Sequence, residues 1–185
     1  YTGTKVMPSL AKDWKMSEDG KTFTLYLRKG LKWSDGHPFT ADDIMFWYQD
    51  LYLNPDINPV PAAEMFINGK HGTVEKVDDY TVVFKFEEPY YLFEKILGGD
   101  SRIGAGFAAG STPGYGPFMG GYAPAHYLKQ FHPKYVSKEE LDKKVQEAKL
   151  DNWLTLLRFK TDWQRNPEVP VMSPWRTVTP ITTPT

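Results

Sequence analysis

The chain has 185 residues, no cysteine and a formal net charge of −1, a length that suits one domain with a core of its own. The missing cysteine excludes disulfides and thiol catalysis. The near-neutral charge gives no global field toward nucleic acid or an anionic membrane, so no nucleic-acid partner is expected, and no stretch approaches the roughly 20 apolar residues that span a bilayer.

The first expected element is a hairpin. A strand over 12–16 turns at Ser17-Glu18-Asp19-Gly20 into a strand over 22–28, where Phe23, Leu25 and Leu27 alternate on one face, the period-2 mark of a half-buried strand. A second turn, Ser34-Asp35-Gly36, follows Trp33. Thr40-Ala41-Asp42-Asp43 then resembles a capping box with Asp in the Glu position, its carboxylates suited to a positive helix N-terminus. Ile44, Trp47, Tyr48, Leu51 and Tyr52 form one apolar helix face, closed by Asn54-Pro55.

A second hairpin is expected over 73–77 and 80–86, turning at Asp78-Asp79, with Tyr80, Val82, Phe84 and Phe86 on a shared face. Pro89 suits the first turn of a short helix through Leu97. The span 98–121 is crowded with glycine and reads as a long loop. Three helices follow: a short one over 124–131; one from Ser137, whose side chain and Glu140 suit a capping box and whose apolar face is Leu141, Val145 and Ala148; and a third over 151–159. On the second of these, Glu139–Lys143 and Glu140–Lys144 are expected i,i+4 pairs. From Asn166 onward, prolines at 167, 170, 174, 180 and 184 forbid regular structure of any length, making 166–185 an extended tail. Both ends read as cuts in a longer protein, with 1–185 as a single excised domain.

Catalytic and metal chemistry find little support. Gly104-Ala105-Gly106-Phe107-Ala108-Ala109-Gly110 is one residue too long for the dinucleotide fingerprint and lacks its strand–helix context. Among His37, His71, His126 and His132 no spacing matches a metal motif, so neither metal nor cofactor is expected. Asp35, Asp42, Asp43, Glu87 and Glu88 are carboxylates without a sign of a shared cleft, and no serine sits in a nucleophile elbow. No catalytic residue is assigned. Aromatic stacking remains: Trp47 and Trp153 read as core, Trp33 as packing over a sheet edge, and Trp163 and Trp175, in irregular segments, as candidate ligand contacts.

Three ordered segments then carry a resemblance. Leu10-Ala11-Lys12-Asp13-Trp14, Asp19-Gly20-Lys21-Thr22-Phe23-Thr24-Leu25-Tyr26-Leu27-Arg28-Lys29-Gly30-Leu31-Lys32-Trp33-Ser34-Asp35-Gly36, and Pro38-Phe39-Thr40-Ala41-Asp42-Asp43 resemble the signature of the family 5 bacterial extracellular solute-binding proteins. Val77-Asp78-Asp79-Tyr80-Thr81-Val82 and Pro89-Tyr90-Tyr91-Leu92-Phe93 are similar to the family's next hairpin and helix. His126-Tyr127-Leu128-Lys129-Gln130-Phe131-His132-Pro133-Lys134-Tyr135 resembles a longer-bodied branch.

The resemblance implies the substrate-binding component of an ABC importer. Its members close two lobes on an oligopeptide, oligosaccharide or related solute outside the cytoplasm and present it to a membrane permease. The signature lies near the start of the family's extra domain, so the chain is expected to be that accessory domain, not an enzyme, with little direct ligand contact. The fold expected is α+β, a small antiparallel sheet of hairpins covered by helices, as in the second domain of a periplasmic-binding-protein-like fold. Two rival readings stay open at this point: a free-standing carbohydrate-binding module, from the aromatic content, and a hydrolase using paired carboxylates.

Overall fold

A computed structural model describes residues 5–99, 101, 103–104 and 120–180. The Gly-rich span lies largely outside these residues, as do Ala105–Gly110 of the GxGxxxG motif and the last five residues of the tail.

The first hairpin is β1 (Ala11–Met16) and β2 (Thr22–Leu27), paired antiparallel with Trp14 opposite Leu25 and Met16 opposite Phe23. Its turn depends on Gly20, which sits at φ +68° under the ring of Tyr91. A Cβ there would stand 2.6 Å from the Tyr91 ring, and an L side chain would also be strained in the left-handed region. Gly20→Ala is expected to cost about 1–2 kcal/mol in urea unfolding, and the steric part of that loss should vanish in a Tyr91→Ala background. An equal loss in both backgrounds would leave only the backbone strain.

Thr40 caps α1 (Ala41–Phe46) with both halves of the capping box present, Asp43 replacing the usual Glu. The helix continues as a π-helical turn over Trp47–Tyr52, closed by Leu53 N–H donating to the Tyr48 carbonyl at 3.0 Å. The wider turn buries Asp50 as well as the expected apolar face of Ile44, Trp47, Tyr48, Leu51 and Tyr52. Single π turns of this kind are often retained where a helix must place one extra side chain.

A two-residue hairpin, β3 (Phe66–Ile67) and β4 (Lys70–His71), has no counterpart among the expected elements. It turns at Asn68-Gly69, both at positive φ, as the turn of a two-residue hairpin requires. Next come β5 (Thr73–Asp78) and β6 (Thr81–Lys85), antiparallel, close to the expected second hairpin. The four long strands make one sheet in the order β1-β2-β6-β5. Phe23, Leu27, Val74, Val82 and Phe84 bury on the same side as α1.

Beyond the sheet, α2 (Phe93–Leu97) begins four residues after Pro89, which therefore precedes the helix instead of opening its first turn. It is followed by α3 (Ala125–Leu128) with a 3-10 turn at Lys129–Phe131, α4 (Lys138–Glu147) and α5 (Trp153–Thr161). Asn152 rather than Asp151 caps α5, its Oδ1 accepting from Thr155 N–H at 2.9 Å. At α4, Ser137 accepts from Glu140 N–H, but Glu140 turns its carboxylate to Lys144 at 2.9 Å, so only half of the expected box forms. Lys143 lies by Glu147 and not by Glu139. Leu141, Val145, Leu156 and Leu157 join these two helices to the same core as the sheet. Residues 166–180 hold no helix or strand. No helix among the described residues is long and apolar enough to cross a membrane.

Candidate functional site

The polar centre of the molecule is Asp43. Its Oδ2 accepts from Trp33 Nε1 at 3.1 Å and Thr40 N–H at 3.0 Å, and its Oδ1 accepts from Ala125 N–H at 3.1 Å. Its own carbonyl accepts from Ala123 N–H. One carboxylate thus ties the turn after β2, the start of α1 and the approach to α3. Burial pushes the Asp43 carboxyl above its ordinary range, against the three donors that favour its charge. Trp33 is not at a sheet edge but buried, its ring edge-on to Phe39 at 5.7 Å and tilted against Tyr122 at 6.0 Å. The reason is its indole N–H, which requires a buried acceptor and finds Asp43.

Beside this knot, the imidazoles of His37 and His126 stack at 3.8 Å and 5°. His126 Nε2 lies 2.8 Å from Asp35 Oδ2, and His37 Nδ1 lies 3.0 Å from the Pro38 carbonyl. Partial burial raises Asp35, but hydrogen bonds from His37 N–H and from His126 outweigh it and hold the carboxyl below its ordinary range. Parallel stacking faces the rings toward each other, whereas a shared metal needs their nitrogens to converge. Among the described residues no cluster of three such side chains could hold a metal ion.

A second buried carboxylate, Asp50 on the π turn, accepts from Lys134 Nζ and Tyr135 Oη, each at 2.6 Å. Its carbonyl lies 3.1 Å from His132 Nε2, whose Nδ1 accepts from Lys134 N–H. That pattern places the His132 proton on Nε2, and burial lowers the imidazole below its ordinary range, keeping it neutral.

The tryptophans nominated from the sequence do not come together with either carboxylate. Trp163 is half-buried against the core after α5. Trp175 is 81% exposed in the proline-spaced segment. Trp47 is core as expected, while Trp153 is only half-buried.

An apolar cleft of about 320 Å³ opens on the core side of β1 and β2. Trp14, Leu25 and Phe39 form its floor, and Met7, Leu10, Leu97 and Met172 its rim. Two polar groups face this lining. The Glu94 carboxylate has no ion-pair partner among the described residues, and the Tyr122 hydroxyl has no hydrogen bond from them. Burial raises the Tyr122 phenol to about 12, so it stays protonated at any physiological pH. This cleft had no signal in the sequence: its walls come from segments as far apart as residues 7 and 172.

Comparison with known proteins gives the context. Residues 5–144 match the family described as bacterial extracellular solute-binding proteins, family 5 middle. The chain is 39% identical over 133 residues to the periplasmic alpha-galactoside-binding protein of Rhizobium meliloti (strain 1021), covering 70% of this chain and 16% of that protein. It is 38% identical over 99 residues to the dipeptide-binding protein of Escherichia coli (strain K12), covering 46% of this chain and 18% of that protein. The solved structure of an oligopeptide-binding protein OppA superposes with a TM-score of 0.75 at 44% identity, over 95% of this chain and 24% of that one. MelB from Agrobacterium fabrum C58, solved with stachyose, superposes at 0.61 and 30% identity, over 94% of this chain and 21% of that one. The chain therefore spans less than a quarter of the length of the relatives it matches.

Proposed function

Because the chain belongs to the family 5 bacterial extracellular solute-binding proteins, we propose that it is an accessory domain of the substrate-binding component of an ABC importer. The parent protein works outside the cytoplasm and hands an oligopeptide or an oligosaccharide to a membrane permease. The observation that carries this reading is the family match over 5–144 in a chain that spans 16% of an alpha-galactoside-binding relative and 24% of an oligopeptide-binding one. The domain contributes scaffold more than ligand contact. Its buried carboxylates are engaged by its own chain: Asp43 by three donors, Asp50 by two. Carboxylates so committed are poorly placed to bind a solute or to transfer protons, so the domain catalyses no reaction.

Calorimetric titration of the 185-residue chain and of its longer parent, each against stachyose and a peptide library, tests this. The parent is expected to bind one of the two classes and the chain alone neither. Saturable binding by the chain alone would overturn the scaffold role. Trp175 is the more accessible of the two candidate contacts. Trp175→Ala in the parent is expected to leave solute affinity within about twofold, roughly 0.4 kcal/mol; a tenfold loss would place that ring on the solute.

A further inference from the structure

The apolar cleft over β1 and β2 is not explained by the core of this chain or by the scaffold role just proposed. We infer that it is a docking seat for the neighbouring lobe of the same parent polypeptide, which fills it with an apolar side chain flanked by a lysine or arginine. The inference rests on the accessory-domain reading.

Three observations on the molecule converge on that occupant. Met7, on the rim, is 69% exposed, an apolar side chain left in water beside an apolar hollow. Contiguous exposed apolar surface of this kind marks a contact to be covered. Second, the rim is built by both ends of the described chain, Met7 and Leu10 from one and Met172 from the other. The relatives carry more than three quarters of their length outside the matched region, so in a parent of that size the additional polypeptide joins beside the cleft. Third, the carboxylate of Glu94 faces the hollow with no cation among the described residues, and the Tyr122 hydroxyl lacks a partner there. An apolar wall with one anionic and one hydroxyl group matches a basic-flanked apolar segment, and interfaces between domains of one chain are polar enough to include such pairs.

Hydrogen exchange on the 185-residue chain and on the parent reads the seat directly. Amides of residues 6–11 and 94–98 are expected to exchange at least tenfold more slowly in the parent. Met7→Asp alters a side chain that the isolated chain leaves in water, so it should not move that chain's melting temperature but should lower the parent's. Glu94→Lys should do the same, with a larger shift at low salt than at high salt. Equal protection in both proteins, or neutrality of both variants in the parent, overturns the inference. So does stoichiometric binding of octylammonium in the cleft of the parent, which would make it a pocket for a free apolar cation. Solute titration of the same samples separates the two readings. A parent that binds solute with an unprotected cleft sinks the docking seat alone; a parent with a protected cleft that binds no peptide or oligosaccharide sinks the importer role alone.

Discussion

Asp43→Ala is expected to lower the stability of the chain by about 3–5 kcal/mol, the largest single loss outside the apolar core. Three donors lose their acceptor at once: Trp33 Nε1–H, Thr40 N–H and Ala125 N–H. Each buried donor left unmade costs roughly 1–3 kcal/mol, and the loss of the helix cap is part of the same sum. Asp43→Asn separates charge from shape. One amide oxygen can keep the two bonds made by Oδ2, but the amide NH₂ would then point at Ala125 N–H, donor against donor, and the cost falls to about 1–3 kcal/mol. Urea unfolding at pH 7 measures both; a loss below about 1 kcal/mol for the alanine variant would show that water replaces the carboxylate and that the knot is not closed.

The pH dependence of the same residue has a definite sign. The folded carboxyl is held above 3.8 by burial. Between 3.8 and its folded value the native chain keeps a proton that the unfolded chain has released, so stability falls as pH rises through that window. Asp43→Asn removes this slope. The ion is kept at neutral pH despite its desolvation because three donors converge on it, and those donors belong to three different segments of the chain. The carboxylate therefore fixes the relative positions of the β2 turn, α1 and α3.

Much of this was legible from local pattern. Phe23 and Leu27 in period 2, and Ile44, Trp47, Tyr48, Leu51 and Tyr52 at helical spacing, all bury as their spacing requires. The Thr40 box was visible because its two halves are three residues apart. What the pattern could not show were roles set by distant partners. Asp43 reads as a cap from its neighbours, yet its third donor comes from Ala125, 82 positions away. Trp33 looked like an edge residue because nothing nearby announces the acceptor for its indole. Asn68-Gly69 was a local signal passed over, since strands of two residues leave no alternation to notice. The apolar cleft is the extreme case: its lining residues share no spacing at all.

Lys134→Met is expected to cost about 1–3 kcal/mol, more than the loss from Asp50→Leu, although the two substitutions break the same ion pair. The asymmetry follows from burial. The Asp50 side chain is 3% exposed and the Lys134 side chain 56%. Removing the lysine leaves a buried carboxylate with only Tyr135 Oη donating to it, whereas removing the aspartate returns Lys134 and Tyr135 to water they already touch. Leucine also suits the surroundings, which include Phe46 and Tyr135 in ring contact. The alkaline limb offers an independent check. The hydrogen bond to Asp50 raises Lys134 above 10.5; burial, then the bond to Asp50, raises Tyr135 above 10.0. Both groups hold protons in the native state after the unfolded chain has lost them, so their contribution is full below about pH 10 and is lost as pH rises through their folded values. Solvent screening keeps that contribution small for side chains this exposed. The urea midpoint of the native chain should therefore fall between pH 10 and 11.5, and the fall should be shallower in Asp50→Leu. If Asp50→Leu proves the more costly substitution, the pair is held by the geometry of the π turn, with Asp50 acting as its cap and not as a stranded charge.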